Sequence, residues 1–372
     1  MNKKIIIAAG GTGGHLLPAQ ALAAQLVKKS PQVEILFVGA GLTRNRFFNR
    51  DAFSFKTVAS GSVSWRKPFK SLWSGIQIVR GIAEGSRIIR EFKPDVIVGF
   101  GSFHTFPLLA AAKLAGIPVV IHEENSILGR VNKFFAGSAE ITTVAFPAAA
   151  KKVIGRVIEV GLPLREGYSL VFSSREKARE HFALDPHIFT LLVFGGSQGA
   201  LVINNLFCSA AMKLLERTKK FQVLHFTGGK AASETCRKCY EALGITAVVK
   251  EFELRMDQAW IASDLAIIRA GASSIAEQME LEVPSILIPY PFATDRHQDK
   301  NADFMVQTVG GGVKLVQSET SSRKLVQAIC DIVGQDQKRL KEMKQSIREY
   351  KQKNRRQDLC SVVFEVLGIK VR

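Results

Sequence analysis

The chain has 372 residues, 47% hydrophobic and 8% aromatic, with a formal net charge of +18 and a pI near 9.8. That length allows two domains that each bury a core. Five cysteines, an odd number placed late in the chain, argue against a disulfide framework and for a reducing compartment. The apolar run at 5–9 is too short for an export signal, and the best candidate span, 106–121, is broken by Lys113 and Pro118, so the expected location is the cytoplasm. A charge this positive suits a polyanionic neighbour: nucleic acid, an anionic membrane face or a pyrophosphate-bearing substrate.

The first predicted strand, 5–9, runs into Gly10, Gly11, Gly13 and Gly14 and then His15. Strands follow at 34–38, 95–99, 118–122 and 141–144, separated by segments of helical period. They are too apolar to have a wet face, which predicts a parallel sheet covered on both sides by helices. Around 157–167, Gly161 and Pro163 interrupt the rhythm and mark the join between domains. The second half repeats the pattern, with strands at 190–194, 222–226, 246–250, 265–269, 285–289 and 312–315. The turn "GGSQGA" after 190–194 matches "GGTGGH" after 5–9, half the chain apart, so the chain reads as two similar α/β domains in tandem. From 337 onward the sequence predicts a basic amphipathic helix with Leu340, Met343, Ile347 and Tyr350 on one stripe.

A glycine turn between a strand and a helix aims backbone N–H groups and the helix dipole at whatever sits above it, and phosphate is the natural guest. Neither turn is a dinucleotide fingerprint or a P-loop. His15 falls in the first turn of the following helix, where the helix N-terminus is expected to keep its ring neutral, the form a general base needs. In "GASSIAE", Ser274 and Glu277 fit a capping box, yet a carboxylate there also suits the two hydroxyls of a ribose, and the spacing fits both. The loop "DRHQDKN" carries side chains that hydrogen-bond sugars. No Asp-x-Asp is present to suggest a metal on a nucleotide diphosphate. Cys236 and Cys239 lack further ligands for a zinc site and read as inert helix positions. Trp65, Phe69 and Trp73 recur every four residues among Arg66, Lys67, Lys70 and Arg80, a pattern that suits an interfacial membrane surface or, alternatively, a core face.

These residues, with "GGTGGHLLPA", "GFGSFHTFPLLAA", "IHEENSILGRVNKF", "GLPLR", "FGGSQGA" and "RAGASSIAEQ…DRHQDKNA" in order, resemble the MurG family of lipid I N-acetylglucosaminyltransferases along the whole chain. The resemblance implies a GT-B fold, two Rossmann-like doubly wound α/β domains facing across a deep cleft. It implies an acceptor- and membrane-associating domain over 1–162, a UDP-GlcNAc-binding domain over 163–345, and a tail, 346–372, that packs back on the first. The implied reaction is inverting transfer of GlcNAc from UDP-GlcNAc to the C4 hydroxyl of MurNAc in lipid I, giving lipid II for peptidoglycan synthesis, with no cofactor or metal. Carried over residue by residue, Ser197 and Gln198 in the second glycine turn take the diphosphate and Glu277 the ribose. Arg165 with the backbone at Glu253 and Ala272 takes the uracil region, and Gln298, with His297 and Asn301, the sugar. On the acceptor side stand Thr12, Gly13, Gly14 and Asn125, with His15 the first choice of base and Glu123 the second. Implied partners are UDP-GlcNAc, lipid I, the anionic cytoplasmic face of the plasma membrane and cell-wall synthesis proteins. Nucleic acid is not among them, because the basic residues are dispersed and no nucleic-acid motif is present. Phe103 stands where the family has tyrosine, and His104 and Thr105 depart from its small-residue pattern. Alternative readings are another GT-B UDP-sugar enzyme, lipid glycosyltransferase or epimerase, and a non-catalytic basic nucleotide- or polyanion-binding protein.

Overall fold

The computed structural model describes residues 2–61, 68–168, 174–196, 199–218 and 220–369. The chain divides into two compact units, residues 1–165 with 356–372, and residues 166–355.

The first unit runs β1 (Lys4–Ala8), α1 (Gly13–Lys29), β2 (Glu34–Gly39), β3 (Phe55–Thr57), α2 (Pro68–Phe92), β4 (Val96–Gly99), α3 (Phe106–Leu114), β5 (Val119–Glu123), α4 (Arg130–Ala136), β6 (Ile141–Val144), α5 (Pro147–Ala150) and β7 (Val157–Gly161). The second runs α6 (Arg175–His181), β8 (Phe189–Phe194), α7 (Leu201–Leu215), β9 (Phe221–Phe226), α8 (Lys230–Ala242), β10 (Ala247–Lys250), α9 (Met256–Ala262), β11 (Leu265–Ile268), α10 (Ala272–Leu281), β12 (Ser285–Leu287), α11 (His297–Asp303), β13 (Gly312–Lys314), α12 (Ser322–Val333) and α13 (Lys338–Lys353). The chain then returns to the first unit with β14 (Gln357–Asp358) and α14 (Leu359–Val366).

Both sheets are parallel, in the orders β14-β7-β6-β5-β4-β1-β2-β3 and β10-β9-β8-β11-β12-β13. Strand alternation assigns the two faces of β1 to two cores. Ile5 and Ile7 pack with Leu16, Leu22 and Leu26 of α1 and Phe364 of α14, whereas Ile6 and Ala8 pack with Ile88 and Ile89 of α2 and Leu108 of α3. Burial on both faces is why the strands read as unbroken apolar runs. In the second unit, Leu191, Val193 and Ile267 meet Ile203 and Phe207 of α7 and Leu325 and Ile329 of α12.

The sequence places the returning tail at 346–372, but the crossing comes later. Ile347 is fully buried in the second unit, where a Cβ on Gly311 would lie 2.3 Å from its Cγ1. Leu340, Met343 and Ile347 are the buried stripe of α13, each contributing roughly 1.5–3 kcal/mol of apolar burial. The return begins at Arg356, whose guanidinium donates to the Ala145 carbonyl. Asp358 caps α14 through the Ser361 amide at 2.7 Å and pairs with Lys29 at 3.1 Å.

Candidate active site

In a doubly wound sheet, ligands bind beyond the carboxyl ends of the strands at the point where strand order reverses. In the first unit that point lies between β1 and β4, and in the second between β8 and β11. Both glycine turns therefore sit at a switch point.

After β1 the chain turns at Gly10 and Gly11, the latter at φ +89°, and Thr12 is the N-cap of α1 without a side-chain cap. Thr12 and Gly14 are exposed and Gly13 is buried. The first helical turn leaves amides without intrahelical partners, and no acidic residue occupies it. Pro18 further removes the N–H that would bond the Gly14 carbonyl. His15 stands in this turn with its side chain 26% exposed, and its Nδ1 lies 3.1 Å from Glu124 Oε2. This is a close charge pair rather than a well-aligned hydrogen bond.

The pair corrects one expectation. Burial pushes the His15 pKa down, as the helix N-terminus would, but the Glu124 carboxylate, helped by Glu123, outweighs it and raises the pKa above the usual 6.5. Burial, with the Glu123 charge, raises the Glu124 pKa despite the attraction of His15.

Glu123 and Glu124 are adjacent at the end of β5 but differ in role. Glu123 is 3% exposed and accepts from the Asn125 amide (3.0 Å), the Gly129 amide (2.8 Å) and Asn132 Nδ2 (2.8 Å), so it knits the 124–132 loop together. A carboxylate committed to the donors of its own loop is poorly placed to abstract a proton. Asn125 is half-buried beside it.

His104 packs against Gly10, where a Cβ would come within 2.7 Å of the His104 Cβ. Its Nδ1 meets Ser102 Oγ at 2.8 Å and its ring stacks on Phe103 at 3.9 Å. Burial and the His15 charge lower its pKa.

In the second unit, Gly195 and Gly196 follow β8, and Gly199 (φ +72°) leads into α7. A Cβ on Gly199 would lie 2.3 Å from the Thr227 carbonyl oxygen, so only glycine fits. Ser197 and Gln198 lie outside the described residues. Across the switch point α10 opens at Ala272, with Gly271 as N-cap and no side-chain cap. Ser274 is thus inside the helix, and the capping-box reading of Ser274 and Glu277 does not hold. Glu277 instead accepts from the buried Tyr168 hydroxyl and from buried Trp260 Nε1, each at 2.9 Å. These two buried donors fix the orientation of the carboxylate.

Glu253 is buried, and Lys250 at 2.7 Å together with the Arg255 amide at 2.8 Å holds its carboxyl below the usual range against the effect of burial. Its side chain organises the loop after β10 and leaves the backbone to any ligand. Gln298 Oε1 accepts from the Tyr290 amide at 2.9 Å, and His297 Nδ1 meets the Thr294 carbonyl at 2.8 Å, at the start of α11. Asn301 is fully buried and donates to the Ala270 carbonyl at 3.1 Å. It fixes α11 to the turn before α10. Arg165 closes the first unit and is half-buried. Among the described residues no group of three or more His, Cys, Asp or Glu could hold a metal ion.

Residues 5–144 match the N-terminal domain of glycosyltransferase family 28 and residues 190–360 its C-terminal domain. The chain is 45% identical to the UDP-N-acetylglucosamine–N-acetylmuramyl-(pentapeptide) pyrophosphoryl-undecaprenol N-acetylglucosamine transferase of Protochlamydia amoebophila (strain UWE25), over 100% of this chain and 97% of that one. The chain belongs to the MurG family of glycosyltransferases. A crystal structure of Acinetobacter baumannii MurG superposes with a TM-score of 0.77 at 25% identity, covering 98% of this chain and 99% of that one. A UDP-glucose:anthocyanidin 3-O-glucosyltransferase shares the fold at a TM-score of 0.66 and 14% identity, over 99% of both chains. The architecture is GT-B, as the resemblance implied, and both MurG-family glycine turns fall at the switch points of its two sheets.

No helix among the described residues is long and apolar enough to cross a membrane. On α2, Leu72, Trp73, Ile76 and Val79 are exposed at 71%, 63%, 53% and 69%, so Trp73 is not a core residue. Trp65, Arg66, Lys67 and the side chains of Phe69 and Lys70 lie outside the described residues.

Proposed function

We propose that this MurG-family glycosyltransferase moves GlcNAc from UDP-GlcNAc to the C4 hydroxyl of MurNAc in undecaprenyl-pyrophosphoryl-MurNAc-pentapeptide, with inversion, and that His15 is the base. The pairing of His15 with Glu124 beside the first glycine turn carries this reading, because an alcohol nucleophile needs a positioned base to take its proton. The substrates are those in the name of the 45% identical relative.

In the displacement the C4 O–H proton passes to the His15 ring as the new C1–O4 bond forms. The C1–O bond to the diphosphate breaks with its electron pair going to UDP. Charge builds on the departing diphosphate, where the uncapped N-termini of α7 and α10 provide fixed positive ends. Glu277 takes the ribose hydroxyls, the backbone at Glu253 and Ala272 with Arg165 the uracil, and Gln298 with His297 the sugar. Thr12, Gly13, Gly14 and Asn125 line the acceptor side.

The lipid-borne acceptor brings the reaction to a membrane surface. The exposed apolar face of α2 dips into the headgroups of an anionic leaflet, and Arg80 on the same helix adds about 1 kcal/mol of attraction. The enzyme works as a peripheral protein on the cytoplasmic face of the plasma membrane. Incubation with labelled UDP-GlcNAc and a panel of acceptors tests the assignment: a lipid I analogue gives a disaccharide product, and diacylglycerol gives none. Product on diacylglycerol but not on the lipid I analogue would reassign the enzyme.

A further inference from the structure

Glu123 and Glu124 are consecutive, both buried, and built in opposite ways. Glu123 is surrounded by donors from its own loop. Glu124, 2% exposed at its side chain, pairs through Oε2 with His15 Nδ1 on α1, and its Oε1 has no hydrogen-bond partner among the described residues. A buried carboxylate that holds no loop together is unfavourable unless a positive charge compensates it. The group across from it is the one imidazole of the cluster able to supply that charge. His104 on the β4–α3 loop and His122 on β5 are both pushed down by burial and by His15, His122 to about 3, and His122 is occupied with Thr143 Oγ1 at 3.0 Å.

We propose that Glu124 is a positioning residue for the transfer reaction: it holds His15 through Nδ1, so that Nε2 is the nitrogen offered to the acceptor hydroxyl, and it balances the charge the ring gains with the proton. This rests on His15 being the base. The proton moves from the C4 hydroxyl to Nε2, Nδ1–H stays on the ring facing Glu124, and the carboxylate remains ionised through the step. Four charged or titratable groups face the ring: Glu124 and Glu123 from the end of β5, His122 from β5 itself and His104 from the β4–α3 loop. The α1 N-terminus opposes the imidazolium, and the two carboxylates outweigh it.

The test uses the full-length protein with a lipid I analogue. Plateau kcat, the pH profile of kcat/KM and UDP affinity are measured for wild type, Glu124→Gln, Glu124→Asp and His15→Gln. In the wild type the rising limb lies above pH 6.5. Glu124→Gln lowers plateau kcat roughly 10- to 100-fold and moves the limb to lower pH, with UDP affinity unchanged, and Glu124→Asp recovers part of the loss. Nitrogen-15 spectra of the wild-type histidines show His15 as the Nδ1–H tautomer when neutral, a readout that does not depend on any variant folding. An unmoved limb in Glu124→Gln, or an Nε2–H tautomer in the wild type, overturns the proposal. Full activity of His15→Gln would instead remove the reading of His15 as base, a separate failure.

Discussion

Glu277 and Trp260 are joined by a hydrogen bond from the buried indole N–H to Oε2 at 2.9 Å, and the Tyr168 hydroxyl reaches Oε1 at the same distance. Neither donor can follow the carboxylate if it swings, since Trp260 is fully buried and Tyr168 is 7% exposed. If this carboxylate grips the ribose, Glu277→Gln weakens UDP binding by about 10- to 100-fold, the size of a charge-assisted hydrogen bond of about 1.5–3 kcal/mol. Trp260→Phe, which removes only the orienting donor, has a smaller effect. Titration calorimetry with UDP reads both, and an unchanged Kd in Glu277→Gln contradicts the role.

Gly199→Ala separates backbone geometry from chemistry. The new Cβ meets the Thr227 carbonyl oxygen at 2.3 Å, on backbone at φ +72°. Misfit of this kind costs on the order of 2 kcal/mol or more and distorts the turn to which we assign the diphosphate. Gly229→Ala, with open space around its Cβ, is the matched control. The urea midpoint falls and UDP binding is lost in the first variant and not in the second.

Acid stability follows from two buried histidines, one in each unit. His122 and His225 are fully buried, and burial lowers each pKa to about 3. In the unfolded chain both take up protons near 6.5, so the stability of their neutral folded state is complete above pH 6.5 and is lost as pH falls toward 3. The slope is about 1.4 kcal/mol per pH unit for each histidine. Urea unfolding at pH 7 and pH 5 measures it. His225→Gln, which retains donor and acceptor groups for Tyr240 (2.6 Å) and Asn204 (3.0 Å), flattens the dependence in the second unit.

Much of this was legible in the sequence because it is carried by local pattern. The apolar runs gave the strands at β1, β5, β6, β8 and β9 to within a residue or so, and the glycines marked the turns at both switch points. The stripe Leu340, Met343 and Ile347 gave α13. What was missed depends on contacts distant in sequence. β14 exists because the returning tail pairs Gln357 with Val160, and two residues carry no periodicity. Spacing left Glu277 open between a capping residue and a ribose ligand, because it cannot reveal that Gly271, three residues before Ser274, is the N-cap. Asn301 was carried over from the resemblance as a sugar ligand, and its burial against Ala270 left no sign in the sequence. Glu124 left no signal: its meaning lies in the register that brings the end of β5 to the start of α1.

The proposed membrane attachment rests on the exposed face of α2. Replacing Trp73 and Ile76 together by Glu puts charge on the apolar stripe and adds repulsion from an anionic leaflet. Co-sedimentation with phosphatidylglycerol vesicles drops at least tenfold, while UDP binding, which we assign to the other unit, stays as in wild type. Undiminished sedimentation would move the membrane contact elsewhere.

The most direct measurement is turnover of a lipid I analogue with UDP-GlcNAc by His15→Gln, with UDP affinity measured on the same preparation. A base worth 10²- to 10⁴-fold predicts a loss of that order in kcat with the UDP Kd unchanged. Turnover at the wild-type rate would contradict the account.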